Sequence, residues 1–200
     1  GPFDFLDPAY PMPMHICEYT DDLINQGKLR MDKSANDEMT LTFHDSCNVA
    51  RATSMGGRPG GQFEIPRAVI KAVCNTFMAE DTIHEATFCC GGGGGLLTDD
   101  LTELRVKGAK PRMQALNEVV KDHGVTHMAA ICAICKSQFS KVMPYYGLEM
   151  DAIVSVHQLV SNAIVLEGSI QEQELDGTSD AASDTTGEDD AAENSHESGE

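Results

Sequence analysis

The sequence predicts an α/β fold: a mainly parallel sheet with flanking helices. Two observations carry this. Short segments with strand character alternate along the chain with segments of helical periodicity, which is the pattern of layered α/β units. Cysteines also recur just past the ends of the predicted strands, where a parallel sheet gathers its ligand-binding rim.

The elements follow in order. LTFHD at 41–45 alternates apolar and polar residues and reads as a strand, with Cys47 just beyond it. RATSMGGRPGGQF is rich in turn residues. A helix is expected from Pro66, with proline at its first position and Ala68, Val69, Ala72, Val73 and Phe77 as the buried stripe. TIHEATF at 82–88 reads as a second strand delivering Cys89 and Cys90. Asp99 to Lys107 reads as helix, and a longer helix follows from Pro111 to His123, with Met113, Leu116, Val119 and Val120 inward and Gly124 as its stop. VTHMAAIC at 125–132 is a third strand ending in C-x-x-C, and CKSQFSKVM continues as helix. AIVSVH at 152–157 is a fourth strand, and QLVSNAIVL a closing helix.

Charge divides the chain. Residues 167–200 hold twelve Asp or Glu and no Lys or Arg. Residues 1–166 then keep 14 basic and 20 acidic residues, a net of −6 out of the −18 of the whole chain. A tail so acidic and so poor in apolar residues is expected to stay disordered, because burial cannot offset the entropy of ordering it. No basic stripe exists to meet phosphates, which argues against nucleic acid as a partner. No run of 18 apolar residues occurs, so no direct membrane span is expected. Residues 12–24 align with 154–166, matching His15 to His157. On that match, residues 1–30 read as the end of a preceding repeat plus a linker, 31–166 as the cysteine-bearing domain and 167–200 as the tail.

Of the seven cysteines, Cys47, Cys89, Cys90, Cys132 and Cys135 form a pattern: a single Cys, an adjacent pair, then C-x-x-C. Cys74 falls on a helix stripe and reads as core, as does Cys17. An odd number of cysteines with no visible secretion signal argues against a disulfide framework. The pair runs straight into five glycines, FCCGGGGG. Neighbours on an extended segment point to opposite sides, so two adjacent thiolates poorly chelate one small tetrahedral ion. They can grip different metal atoms of a larger body. Glycine lets the backbone press close to such a body and aim N–H groups at its sulfurs, so Gly91, Gly92 and Gly93 are candidate cofactor-binding positions. A multi-iron cluster fits better than a single zinc. The glycine run lacks the Gly-Lys-Ser/Thr ending of a P-loop, and Leu96 breaks G-x-G-x-x-G. A redox disulfide in the C-x-x-C would leave the other three converging cysteines unexplained. His44 and Asp45, just before Cys47, are candidate acid–base or supporting residues, or else a hydrogen-bonding pair that fixes the Cys47 loop.

HDSCNVAR, FCCGGGGGL and CAICKSQ together resemble the CCG cysteine-rich domain of heterodisulfide reductases and their relatives. IPRAVIKAVC, THMAAICAICKSQF and YYGLEMDAIVSVHQLVSNAI are similar to the K subunits of the membrane-bound Dsr complex of sulfur metabolism. The resemblance covers roughly residues 10–166 and implies several things. Cys47, Cys89, Cys90, Cys132 and Cys135 would hold a noncubane four-iron cluster that performs the catalytic step. The reaction would reduce, or in reverse form, a disulfide or trisulfide of a sulfur-carrier protein with cysteines on its C-terminal arm. Electrons would pass to or from a haem-containing, quinone-interacting membrane subunit. The protein would be cytoplasmic, held on the inner membrane through that partner. Ferredoxin-type C-x-x-C-x-x-C motifs of the K subunits do not occur here, so this stretch is expected to be the C-terminal portion of a longer subunit, with further 4Fe-4S clusters upstream. CCG domains also occur in subunits of glycolate oxidase, glycerol-3-phosphate dehydrogenase and succinate–quinone reductase, which implies an alternative role as an electron conduit.

Overall fold

Among the described residues, the sheet is built from three short parallel strands, β1 (Leu41–Phe43), β2 (His127–Ala130) and β3 (Ile153–Ser155), in that spatial order. The computed structural model describes residues 13–78 and 83–166. Described residues up to Val165 belong to one compact unit. The expected disordered tail at 167–200 lies outside the described residues.

Phe43 pairs with Ala129 and Ala129 with Val154, so the strands stand in register across the sheet. Their alternation is muted because helices cover both faces: Leu41, Phe43, Ala129 and Val154 are buried, and so is Thr42. One core layer packs these strands against α3 (Gly61–Val73) and α6 (Val156–Ala163) through Val69, Ile70, Val73, Leu159 and Val160. The second layer packs Met128, Ala130 and Ile153 against α4 (Thr102–His123) and α5 (Ala133–Val142), through Met113, Leu116, Phe139 and Val142. Cys90 and Cys135 belong to this second layer.

Four expectations are corrected. The helix expected from Pro66 begins at Gly61, and Pro66 lies inside it. Its buried face is Phe63, Ile65, Val69, Ile70 and Val73, while Ala68 is exposed. Residues 102–107 and 111–123 are joined in one helix, α4, preceded by a 3₁₀ turn at Asp99–Leu101, with Pro111 inside and Gly124 in the left-handed cap expected of it. The closing helix α6 starts at Val156, so the last strand stops at Ser155 and His157 is already helical. The strand expected at 82–88 does not form among the described residues: 84–86 is a 3₁₀ turn and the chain leaves it unpaired by any strand.

This last difference has a physical cause. The sheet edge beside β1 is taken by residues 76–78. Leu41 N–H donates to the Thr76 carbonyl at 3.1 Å, and Met78 N–H donates to the Leu41 carbonyl at 2.7 Å. Side chains and the 3₁₀ turn's own bonds, not a ladder, satisfy the 84–87 backbone. The His84 N–H donates to the Asp45 carboxylate at 2.8 Å. Arg51 donates to the carbonyls of Glu85 (2.9 Å) and Thr87 (2.6 Å). With their partners met this way, these groups need no strand.

The N-terminal helix α1 (Ile16–Asn25) packs on α3 and buries Cys17 with Met55 and Ile65. His15 is its N-cap and accepts the Cys17 N–H, whereas His157 sits one residue inside α6. The two histidines aligned by sequence thus occupy different helix positions. A short strap follows: Met31 bridges Ile164, and Asn36 donates to the carbonyls of Val73 and Leu159 at 2.8 and 3.0 Å. Cys74 is buried in the same layer. Both Cys17 and Cys74 are core residues, as expected, and burial pushes their thiols up to about 12 and about 11. Among the described residues, no helix is long and apolar enough to cross a membrane.

Candidate metal centre

Two of the three cysteine segments reach one rim because the parallel strands β1 and β2 end there. β1 ends at Phe43, and Cys47 opens the short helix α2 (Cys47–Ala52). β2 ends at Ala130, where Cys132 caps the N-terminus of α5 and Cys135 stands in its first turn. Helix N-termini favour negative charge, so thiolates are well placed there. The third segment, carrying Cys89 and Cys90, is irregular. It is held by Arg51 and by a close crossing over α4.

The adjacent pair differs in exposure: Cys89 is exposed and Cys90 is buried. Their thiols have other thiols as neighbours. Cys47 and Cys89, Cys89 and Cys90, and Cys90 and Cys135 each lie near enough to shift one another's protonation. Cys132 packs at the border of the layer that contains Cys90 and Cys135. Burial and then the Cys89 neighbour raise the Cys47 thiol. The Cys90 contact and then burial raise Cys89. The Cys135 contact carries Cys90 up to about 12. As bare thiols these groups stay protonated, so any metal group they take must displace protons.

Backbone amides oppose that rise. The Gly91 N–H donates to Cys89 Sγ at 3.4 Å. The Gly92 N–H lowers Cys90, and the Asn48 N–H lowers Cys47. N–H groups aimed at sulfur are what the glycine run was expected to provide.

The glycines divide into different tasks. Gly91 has φ of +82°, and a Cβ there would meet Ala109 N at 2.6 Å, Arg105 O at 2.8 Å and Gly108 C at 2.9 Å. It is glycine because the segment crosses the α4 backbone. Gly92 is buried, and a Cβ there would lie 3.3 Å from Cys90 Sγ and 3.3 Å from Ile134. Of the three candidate glycines, this is the one whose Cβ would meet a sulfur. Gly93 would meet only Leu96 and is exposed, so it serves the turn.

Asp45 and His44 part company. Asp45 is buried and takes a two-pronged ion pair from Arg67, at 2.8 and 2.6 Å, besides the His84 N–H. It fastens the end of β1 to α3 and to the segment leading to Cys89, which is the loop-fixing role. His44 is fully buried, and burial, then the Arg112 charge, depresses its ring pKa to about 3. It is neutral at physiological pH.

Sequence reasoning missed the arginines. Arg105 and Arg112 are buried in α4. Arg105 donates to Gln138 at 2.8 Å and to the Thr98 carbonyl at 3.0 Å, closing the glycine loop onto α5. Arg112 lies over the Phe88 ring, 6.0 Å from its centroid. Nothing in the local pattern marks an arginine on a long, charged helix as buried. Only the pairing of α4 with α5 does so.

Neighbouring thiols, helix N-termini and amides aimed at sulfur suit a body with several metal atoms. Among the described residues, no group of three or more His, Cys, Asp or Glu is placed to hold a metal ion.

This rim of cysteines defines a cysteine-rich domain, and the chain belongs to that family, CCG, whose match covers residues 41–140. Individual relatives extend the likeness. An Hdr-like menaquinol oxidoreductase iron-sulfur subunit of Archaeoglobus profundus is 43% identical over 155 residues, covering 76% of this chain and 26% of that protein. A subunit of the dihydromethanophenazine:CoB–CoM heterodisulfide reductase of Methanosarcina mazei is 31% identical over 156 residues, covering 77% of this chain and 34% of its own length. The EtfAB:quinone oxidoreductase of Syntrophomonas wolfei is 36% identical over 81 residues, 40% of this chain and 10% of that protein. The chain thus spans a quarter to a third of the first two relatives. No solved structure matches it.

Proposed function

We propose that this chain is the cysteine-rich part of a quinone-linked, heterodisulfide-reductase-like iron–sulfur oxidoreductase subunit. It would make or break a sulfur–sulfur bond of a small sulfur-carrier protein. The observation that carries the reading is the gathering of the Cys47, Cys89, Cys90 and Cys135 thiols, near enough to shift one another's protonation, with Cys132 packed against the layer of Cys90 and Cys135.

Cys47, Cys89, Cys90, Cys132 and Cys135 would hold a noncubane four-iron cluster. When bound, that cluster supplies one-electron transfer next to a site where a substrate sulfur can approach. Reduction of a disulfide takes two electrons and two protons and yields two thiols. The protein's own residues set the conditions. Amides of Asn48, Gly91 and Gly92 favour thiolates. The Asp45–Arg67 pair holds the Cys47 loop. Exposed Cys89, beside exposed Gly93, Gly94 and Gly95, leaves an open side, and Cys90 and Cys135 close the other. The relatives named as menaquinol and quinone oxidoreductases support a quinone-side partner, here a haem-containing membrane subunit. With that partner the protein would lie on the cytoplasmic face of the inner membrane.

The likeness to the EtfAB:quinone oxidoreductase favours a second reading, an electron conduit with no sulfur substrate. The two part on one experiment. Reduced sulfur-carrier protein added to the oxidised, anaerobically isolated protein should evoke a new paramagnetic signal. A carrier lacking its C-terminal-arm cysteines should not. Full iron content with no response to the intact carrier would favour the conduit.

A further inference from the structure

His44 is the buried polar residue whose surroundings leave its chemistry unused. Its side chain is fully buried, and among the described residues neither Nδ1 nor Nε2 has a hydrogen-bond partner. A neutral imidazole carries one N–H donor and one acceptor nitrogen, and burying both without partners is costly. Such a group in a native core calls for a partner of another kind, such as a bound group.

The surroundings indicate which group. The His44 ring stands edge-on to Phe139, with centroids 4.9 Å apart. Phe139 lies one turn beyond Cys135 on α5, and the two share a helix face and a core layer with Cys90. The Arg112 guanidinium, close enough to depress the His44 pKa, lies over Phe88, the residue before Cys89. His44 itself precedes Cys47 by three residues and is anchored by its N–H to the Ala129 carbonyl at 2.9 Å. Each of these neighbours of the ring leads to one of the candidate cysteines.

We propose that His44 donates a ring N–H to a sulfur, thiolate or sulfide, of the iron–sulfur group held by these cysteines, and so raises its reduction potential. The inference rests on the reading of the site as an iron–sulfur centre. Hydrogen bonds to cluster sulfurs stabilise the more negative, reduced state, which is how an uncharged donor shifts potential. Burial keeps the imidazole neutral, so the donor adds no charge of its own.

Protein labelled with ¹⁵N-histidine, isolated anaerobically and poised in a paramagnetic state, tests this by pulsed electron paramagnetic resonance. A weak nitrogen coupling is expected in the wild type, lost in His44→Leu, together with a midpoint shifted to more negative potential at unchanged iron content. The wild-type measurement alone suffices if the variant fails to fold: full iron without any histidine coupling overturns the proposal. So does a coupling that persists in His44→Leu, or one as strong as a nitrogen bound to iron. Absence of iron from the wild type would instead overturn the iron–sulfur reading on which the proposal depends.

Discussion

Replacing Gly91 by alanine tests whether the cysteine pair is seated by a crossing over α4. At φ of +82° an alanine incurs the left-handed penalty, about 1–2 kcal/mol. Its Cβ would also strike three atoms of α4 at 2.6–2.9 Å, all of them backbone, so no flexible side chain can move aside. Overpacking of that kind costs about 1–3 kcal/mol. The total is about 2–5 kcal/mol. Gly94 is the control: its φ is +70°, but nothing lies within 4 Å of its Cβ position, so Gly94→Ala bears the conformational cost alone. Anaerobic urea unfolding reads the difference. With a slope of about 2 kcal/mol per M, Gly91→Ala should unfold roughly 0.5–1.5 M below Gly94→Ala. Midpoints within about 0.2 M of each other would refute the close crossing and leave Gly91 as an ordinary turn residue.

His44 gives a pH prediction. Its folded pKa, about 3, lies below the unfolded value of 6.5, so the unfolded chain binds the extra proton. Stability is complete above pH 6.5 and falls as pH drops toward 3; at pH 5.5 the loss is about 1.4 kcal/mol, and His44→Phe should lack it when unfolding is compared at pH 5.5 and 7.5. Arg67→Ala leaves the buried Asp45 carboxylate unpaired and should destabilise by about 3–5 kcal/mol, with faster amide exchange at His84, whose N–H Asp45 holds. Because Cys47, Cys89 and Cys90 are raised as bare thiols, iron uptake by the metal-depleted protein should slow as pH falls from about 8.5 to 7, followed by absorbance during reconstitution. Uptake independent of pH would contradict proton displacement from these thiols.

Much of the site was legible in the sequence because its chemistry is local. Cysteines at strand ends, an adjacent pair and a glycine run announce a multi-thiol rim without knowledge of any tertiary contact. The alternation in LTF and the apolar THMAAI and AIV runs likewise marked the three strands. What failed was what depends on partners far along the chain. TIHEATF alternates like a strand, yet Asp45 and Arg51 take its backbone groups and residues 76–78 hold the sheet edge it would have joined. Pro66 and Pro111 looked like helix starts because proline is disfavoured inside helices. Both helices run through them, carried by the buried faces around Val69 and Met113. Gly91 was read as facing an inorganic body, and its first constraint proves to be the α4 backbone. Buried Arg105 and Arg112 had no sequence signal, since a charged residue on a long helix ordinarily faces water.

Whether the five rim cysteines together hold an iron–sulfur group is decided by iron and acid-labile sulfide, measured with electron paramagnetic resonance on anaerobically isolated variants. Ser at Cys47, Cys89, Cys90, Cys132 or Cys135 should in each case lose iron or alter the signal. Cys17→Ser and Cys74→Ala, buried in core clusters other than that of Cys90 and Cys135, should keep both. Full iron and an unaltered signal in both Cys89→Ser and Cys90→Ser would contradict a group gripped by the adjacent pair.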